Sequence, residues 1–296
     1  MLEIAATFLV IAALLAYVNE RFIGLPVTIG VMAAALLMSL ALIGLDALGL
    51  DGGLRQPVQD LLRSIDFSNV LMQGMLSLLL FAGALHVDLG ELRARRWQVG
   101  ALAVVSTVAS TAAIGFATWL VLPAVGVELP FLHCLLFGAL ISPTDPIAVM
   151  GILKTAGADK EVEVVMAGES LFNDGIGVVL FSLLLGVLVG GATPTAADAA
   201  KLLAHEAGGG LLFGLVLGYA TFRMLRSVDS YQVEVLLTLA MVTGGYALAS
   251  RLHVSGPLAM VVAGLIIGNS GRAFAMSDTT RHYVDLFWEV VDDILN

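Results

Sequence analysis

Three acidic residues lie inside long apolar stretches of the sequence, where a charged side chain costs free energy unless it is paired, hydrated or neutralised. They are Asp145, Glu169 and Asp174, and they fall in two neighbouring stretches. The other acids can be placed near the ends of such stretches or between them. Because a carboxylate in apolar surroundings can be neutralised by a proton or a cation, these positions predict ion chemistry.

The first polar motif within an apolar stretch is Ser142–Pro146. Its two prolines, Pro143 and Pro146, remove two amide donors and free the carbonyls that those donors would have bonded. A helix broken at membrane depth is tolerated where it lines a cavity or is buried in protein. The freed carbonyls, the Thr144 hydroxyl and Asp145 all offer oxygen ligands to a monovalent cation. A proline kink in which Asp145 caps the next helix is the alternative interpretation.

The second motif is residues 168–175, which would lie on one helix. Ser170 and Asp174 are four residues apart and share a face, while Glu169 and Asn173 form a second pair rotated by about 100°. One face can therefore present a hydroxyl and a carboxylate to an ion. The other face carries a carboxylate and an amide that need partners. A polar contact between helices is the alternative, but two acids in mid-span favour the ion site.

Other candidate residues carry weaker signals. His86, Asp88 and Glu91 stand at the end of an apolar stretch, where a capping or solvated role is favoured over ion binding. The histidines are scattered and predict no metal cluster. The single cysteine, Cys134, excludes a disulfide framework. We expect no cofactor.

The composition defines the solvent of this chain. Of its 296 residues 59% are hydrophobic and 13% charged, and the mean hydropathy is +0.97. A soluble enzyme of this size could not bury so much apolar surface, and a disordered chain would be polar. The formal net charge of −10 excludes the basic surface of a nucleic-acid binder. The bilayer is therefore the expected solvent.

The apolar runs predict an all-α polytopic membrane protein, because helices and closed barrels are the structures that span bilayers and alternating barrel patterns are missing. We expect one transporter domain over residues 1–296, with about nine transmembrane helices and the start of a tenth. The spans are expected at 4–18, 25–44, 67–87, 98–122, 131–153, 164–189, 207–222, 233–249, 256–268 and 284–296.

The basic residues predict the orientation of these spans. The loop that holds Arg93, Arg95 and Arg96 is the strongest cytoplasmic marker. Counting outward from it places ten basic residues inside and four outside, out of 14 in the chain. This asymmetry predicts an external N-terminus. The first run lacks a basic leader segment, so we expect it to be a retained span.

Together these motifs resemble the sodium/proton exchanger family, most closely its bacterial and archaeal NhaP-type branch. The resemblance runs over essentially the whole chain. It is carried by Phe172-Asn173-Asp174, by the preceding Gly168-Glu169-Ser170 and Ser142–Pro146, and by matches at Phe81–Leu85, Gly264–Asn269 and Phe287–Glu289.

The resemblance implies a dimeric transporter of about thirteen spans with two inverted repeats. A dimerisation domain would face a mobile core domain that contains a broken, partly unwound crossing helix. The second repeat would be incomplete in this chain, which would end before the family's last spans. The expected location is the cytoplasmic (inner) membrane of a bacterium or archaeon, and the expected role is pH homeostasis.

For the site, the resemblance implies that Asp174 binds a proton and a cation in competition. Thr144 and Ser170 would supply further oxygens, and Asp145 would act directly or through water. The transported partners would be H⁺ and Na⁺, with K⁺ or Li⁺ as alternatives. The other partners would be the lipid bilayer and a second copy of the chain, with no nucleic acid.

Asn173 stands where electrogenic relatives carry a second Asp, so the resemblance implies electroneutral exchange of one cation for one proton. Glu169 would pair with an arginine of a later span, and these 296 residues offer no suitable intramembrane arginine. Some relatives carry an acid at the position of Ala82, so one oxygen ligand is missing here.

Two other functions use the same residue types. An intramembrane aspartyl protease needs two Asp on neighbouring helices, a role open to Asp145 and Asp174. The expected Gly-x-Gly-Asp signature is absent, and the double-proline break favours an ion site. A cation channel could line its pore with the same oxygens. We expect a transporter rather than an enzyme.

Overall fold

The computed structural model describes residues 2–25, 27–47, 74–144, 159–190, 201 and 204–295. Within these ranges the regular structure is helical, which confirms the all-α fold class. The chain divides into two compact units, 1–72 (with 296) and 73–295, which are described individually.

The first unit is a pair of helices in contact, α1 (Leu2–Val18) and α2 (Val27–Ala47). A π-helical turn follows α1, and Gly24 then reverses the chain at φ 75°, a conformation that glycine adopts without strain. Asn19 is fully buried and donates a hydrogen bond from Nδ2 to the Leu25 carbonyl at 2.7 Å. Its side chain packs directly on Gly30, where any larger residue would overlap it. The pair is therefore joined by a polar, space-filling contact.

The described part of the second unit contains nine helices. They are α3 (Leu76–Leu85), α4 (Leu89–Ala94), α5 (Arg96–Val125), α6 (Phe131–Ile141), α7 (Lys160–Gly190), α8 (Ala204–Leu225), α9 (Tyr231–Arg251), α10 (Gly256–Phe274) and α11 (Asp278–Leu295). Five of these, α5 and α7–α10, are long and apolar enough to cross a membrane. The parts of the predicted third and fifth spans at 67–73 and 145–153 lie outside the described residues.

Helix α10 packs tightly against α8 because small residues line both sides of the contact. Three glycines, each four residues after the last, face three small residues at the same spacing: Gly210 faces Ser255, Gly214 faces Ala259 and Gly218 faces Ala263. Close backbone approach of this kind replaces the hydrophobic driving force that is missing between helices in lipid. The opposite face of α8 is apolar and exposed at Leu212, Val216 and Tyr219, which suits contact with lipid.

On its other side α10 packs against α3. Gly264 lies on the Phe81 carbonyl and Gly268 on the Leu85 carbonyl, so the backbones of the two helices touch. The G-x-x-x-G pattern of α10 is therefore a packing contact here. It places α10 in the centre of the second unit, between α3 and α8.

The turn between α3 and α4 is held to α10 by Asn269. Its Nδ2 donates to the Val87 carbonyl at 2.9 Å, and its Oδ1 accepts from the Leu89 amide at 2.8 Å. Asp88 caps α4, since its carboxylate accepts from the amides of Gly90 and Glu91 at 2.7 and 3.1 Å. Asp88 thus has the capping role that the sequence favours.

Helix α11 begins at Asp278, six residues before the predicted start of the tenth span. Its buried side chains, Thr280, Val284 and Trp288, recur every four residues on one face. Trp288 is fully buried, packs edge-on against Phe81 at 4.6 Å, and donates from Nε1 to the Thr238 hydroxyl at 3.0 Å. The helix is amphipathic and docks through this face.

Candidate ion-binding site

The predicted site residues on α7 occupy one side of that helix. Glu169, Ser170, Asn173 and Asp174 stand at positions i, i+1, i+4 and i+5, which bring them within two adjacent turns. Ser170 and Asn173 are buried, with 4% and 1% of their surface exposed. Glu169 and Asp174 are partly buried. The polar face of α7 is therefore turned into the protein.

Asn173 connects the two polar motifs. Its Nδ2 donates to the Thr144 hydroxyl at 2.8 Å and to Glu169 Oε1 at 3.0 Å. Since an amide nitrogen carries two hydrogens, both of its donors are used. Ser106 Oγ of α5 lies 3.4 Å from Glu169 Oε1, and the same hydroxyl makes a shorter hydrogen bond to the Leu102 carbonyl. A hydroxyl, an amide and a carboxylate thus form one connected cluster.

The segment that carries Thr144 begins where α6 ends, at Ile141. Ser142 is buried and donates from Oγ to the Gly138 carbonyl at 2.6 Å, which also accepts from the Ser142 amide at 3.0 Å. The Thr111 hydroxyl of α5 donates to Ser142 Oγ at 3.1 Å. Gly138 itself lies on the Thr111 carbonyl, so α5 and α6 are in backbone contact at this point.

A second contact seats this segment on α7. The Pro143 ring lies against Gly177, where any side chain would overlap it. Gly177 follows Asn173 by one helical turn, so residues 143 and 144 rest on two successive turns of α7. Gly175 faces Leu258 of α10. Asp174 lies on the same turns of α7. Around the helix it stands between Asn173 and Gly177, which face the Pro143 segment, and Gly175, which faces α10.

The structure thus brings several of the predicted site residues together. Thr144, Asn173 and Glu169 are hydrogen-bonded in a cluster, and Pro143 packs on the same helix one turn away. Asp145 and Pro146 lie outside the described residues. Within the described ranges, no group of three His, Cys, Asp or Glu side chains forms a metal centre.

One atom of the cluster has an unsatisfied hydrogen-bonding capacity. Asn173 Oδ1 is buried and accepts no hydrogen bond from the part of the chain that the structure describes. A buried acceptor without a partner costs about 1–3 kcal/mol. A cation or a water molecule placed against this oxygen would remove that cost. The amide oxygen is therefore a candidate ligand beside the carboxylate of Asp174.

Ser106 and Thr111 are parts of the cluster that the sequence does not reveal. Both lie in a mostly apolar helix, where hydroxyl side chains commonly bond to the carbonyl four residues earlier. Ser106 does so with the Leu102 carbonyl, and Thr107 donates to the Ala103 carbonyl at 2.6 Å. A hydroxyl residue can bond to its own helix, contact another polar side chain, or do both. Only the tertiary structure shows that Ser106 lies beside Glu169 and Thr111 beside Ser142.

Comparison with known proteins agrees with this architecture. The transmembrane sodium/hydrogen exchanger family profile matches residues 9–296. The Na⁺/H⁺ antiporter NhaP of Pseudomonas aeruginosa is 57% identical over 296 residues, which cover 100% of this chain and 70% of that protein. The Na⁺/H⁺ antiporter NhaH of Halobacillus dabanensis is 35% identical over 286 residues, which cover 92% of this chain and 69% of that protein.

Among solved structures, the sodium proton antiporter MjNhaP1 from Methanocaldococcus jannaschii at pH 8 has the same fold. The TM-score is 0.71 at 22% sequence identity, and the match covers 97% of this chain and 65% of that one. The chain therefore spans between 65% and 70% of the length of these three relatives.

Long apolar helices, exposed apolar faces and a buried polar cluster define an integral membrane protein. The chain belongs to the sodium/hydrogen exchanger family and is of the NhaP type. The resemblance stated from the sequence motifs is confirmed.

Proposed function

We propose that the full-length protein exchanges a monovalent cation for protons across the cytoplasmic membrane of a bacterium or archaeon. Na⁺ is the first candidate cation, and Li⁺ and K⁺ are the alternatives. The protein acts as a transporter and not as an enzyme, and it works as a homodimer with inverted repeats. The observation that carries the proposal is the hydrogen bond from Asn173 to Thr144, which joins two exchanger motifs beside Asp174.

In this proposal proton and cation compete for Asp174. Thr144 and Ser170 add oxygen ligands, and Asp145 contributes directly or through water. The two loaded states carry the same charge at Asp174, so both can cross when the core domain moves. The bare carboxylate is costly to carry through an apolar barrier, and this cost prevents uncoupled movement. The proton gradient then drives the cation out of the cell.

The direct test uses the full-length protein in lipid vesicles that enclose a pH-sensitive dye. We expect Na⁺ added outside to enter the vesicles in exchange for H⁺, so that the internal pH rises. Titrations with Na⁺, Li⁺ and K⁺ then rank the three cations. A response to none of the three cations contradicts the proposal. Steady current without proton coupling would instead indicate a channel, and cleavage of a helical substrate would indicate a protease.

We expect electroneutral exchange because Asn173 stands where electrogenic relatives carry a second Asp. The substitution Asn173→Asp tests this expectation. The wild-type rate should not respond to an imposed membrane voltage. In the variant a carboxylate replaces a donor that lies 3.0 Å from Glu169 Oε1 and 2.8 Å from Thr144 Oγ1. Two carboxylates at this distance cannot both stay ionised without repulsion. We therefore expect voltage-dependent exchange or a lowered thermal unfolding midpoint.

The matched control for this substitution is Asn173→Ala, which removes the same two hydrogen bonds and adds no charge. Its stability loss should be about 1–3 kcal/mol, the cost of leaving buried partners unsatisfied, and its transport should stay voltage-independent. If Asn173→Asp matches the alanine variant in both measurements, the added carboxylate has no effect on stoichiometry and the argument fails.

A further inference from the structure

A polar cavity of about 320 Å³ lies between α7, α8, α9 and the start of α10. Its polar lining is Ser182, Glu206, Tyr246, Ser250, His253 and Ser255. These residues lie near the end of α7, the start of α8 and the turn between α9 and α10. The basic-residue count predicts that all three of these places face the outside of the cell. None of these side chains belongs to the cluster around Asn173.

The rim of the cavity is held by hydrogen bonds. The Ser255 amide donates to the Glu206 carbonyl at 2.9 Å, which joins the start of α8 to the turn before α10. The Ser255 hydroxyl caps α10 by accepting from the Leu258 amide at 3.3 Å. These bonds join the start of α8 to the start of α10 at the rim of the cavity.

The cavity continues the face of α7 that carries Asp174. Asp174, Val178 and Ser182 follow one another at intervals of four residues, and the last two line the cavity. At a rise of about 1.5 Å per residue, Val178 lies about 6 Å and Ser182 about 12 Å along the helix from Asp174. Gly175, the residue after Asp174, packs on Leu258 of α10, whose first residues form the cavity wall.

Glu206 supplies an acidic group to this lining. It is partly buried in the first turn of α8, and among the described residues His205 and His253 interact with it electrostatically. A carboxylate in a protein cleft focuses the electric field and raises the local concentration of cations. Hydroxyl oxygens of the lining, such as that of Ser182, can replace part of the cation's hydration shell.

We infer that this cavity is the external vestibule of the transport site, and that Glu206 is a positioning residue that concentrates the cation before it reaches Asp174. The inference rests on the proposed cation/proton exchange and adds to it the route on one side of the membrane. It assigns the cavity to a hydrated monovalent cation.

The first experiment measures transport by the full-length protein in vesicles of known orientation. Glu206→Gln should raise the KM for external Na⁺ about tenfold, the lower end of what a focusing cleft supplies, and leave kcat and the KM for internal Na⁺ unchanged. Glu128→Gln is the matched control, because Glu128 is an exposed acid on the same predicted side and outside the cavity. An equal KM shift in both variants, or none in Glu206→Gln, overturns the role of Glu206.

The second experiment does not depend on transport. Cys134 is the only cysteine in these 296 residues and has 1% of its surface exposed. The experiment uses the full-length protein in which any cysteine other than the buried Cys134 is replaced. In this background Ser182→Cys should react with a membrane-impermeant thiol reagent added outside. Na⁺ should slow the reaction. Ser250→Cys should behave in the same way, and it tests the inference if the Ser182→Cys protein folds poorly.

Ser227→Cys, an exposed position on the predicted inner side, is the control and should react only from inside. Absence of external labelling at residues 182 and 250, or labelling only from inside, overturns the vestibule. If exchange is intact while both experiments fail, only the vestibule is wrong. If labelling succeeds in a protein that exchanges no cation, the proposed function is wrong.

Discussion

Asp174→Asn is expected to abolish proton-coupled cation transport while the protein still folds. The amide keeps the shape of the carboxylate but can neither take up a proton nor neutralise a cation. Losing several kcal/mol of cation binding predicts a fall of at least about 100-fold in exchange rate. The measurement is the dye-monitored pH change in vesicles of the full-length protein under an Na⁺ gradient.

Two controls accompany this prediction. Asp174→Glu keeps the carboxylate and should retain exchange with an altered apparent affinity, because the longer side chain displaces its oxygens. Size-exclusion profiles of all variants in detergent should match the wild type. Undiminished pH-dependent exchange by the Asp174→Asn protein would show that another group binds the transported ions.

Gly268→Ala should have the largest effect on folding. A Cβ atom at this position would overlap the Leu85 carbonyl oxygen and lie 2.7 Å from its carbon and 2.9 Å from the Leu85 Cα. These are backbone atoms of α3, so no side-chain rotation can relieve the overlap, and the helices must separate. Overpacking of this kind costs about 1–3 kcal/mol or more, which thermal unfolding in detergent would register as a lower midpoint.

Gly244→Ala is the matched control on the neighbouring helix α9. A Cβ at Gly244 meets nothing within 4 Å. Because alanine is the better helix former by up to about 1 kcal/mol, this variant should unfold at the wild-type temperature or above it. Equal midpoints for the two alanine variants would mean that the α3–α10 contact is looser than the backbone distances indicate.

Much of the fold follows from the sequence because a bilayer imposes a simple rule. A chain in lipid must satisfy its backbone hydrogen bonds within each span, so an uninterrupted apolar run has one regular solution. The run predicted at 164–189 is the helix Lys160–Gly190, and the run predicted at 98–122 is the helix Arg96–Val125. The helix end at Ile141 similarly follows from the prolines just after it.

The amphipathic helix α11 shows where this rule stops. Its first two turns carry charged residues such as Asp278 and Asp285, so hydropathy alone places its start too late, and it buries the face that carries Trp288. The packing of Trp288 against Phe81 and Thr238 determines that face. Those partners are far away in sequence, and periodicity within one segment does not identify them.

The sequence by itself determined that this is a membrane protein, that its spans are helices, and which two motifs concentrate the buried oxygens. The tertiary structure decided which of those oxygens meet. Helical spacing pairs Glu169 with Asn173, but the bond from Asn173 to Thr144 joins residues 29 positions apart, and Ser106 meets Glu169 across 63 positions. Such contacts depend on how helices pack, and packing depends on the shapes of surfaces that no single segment specifies.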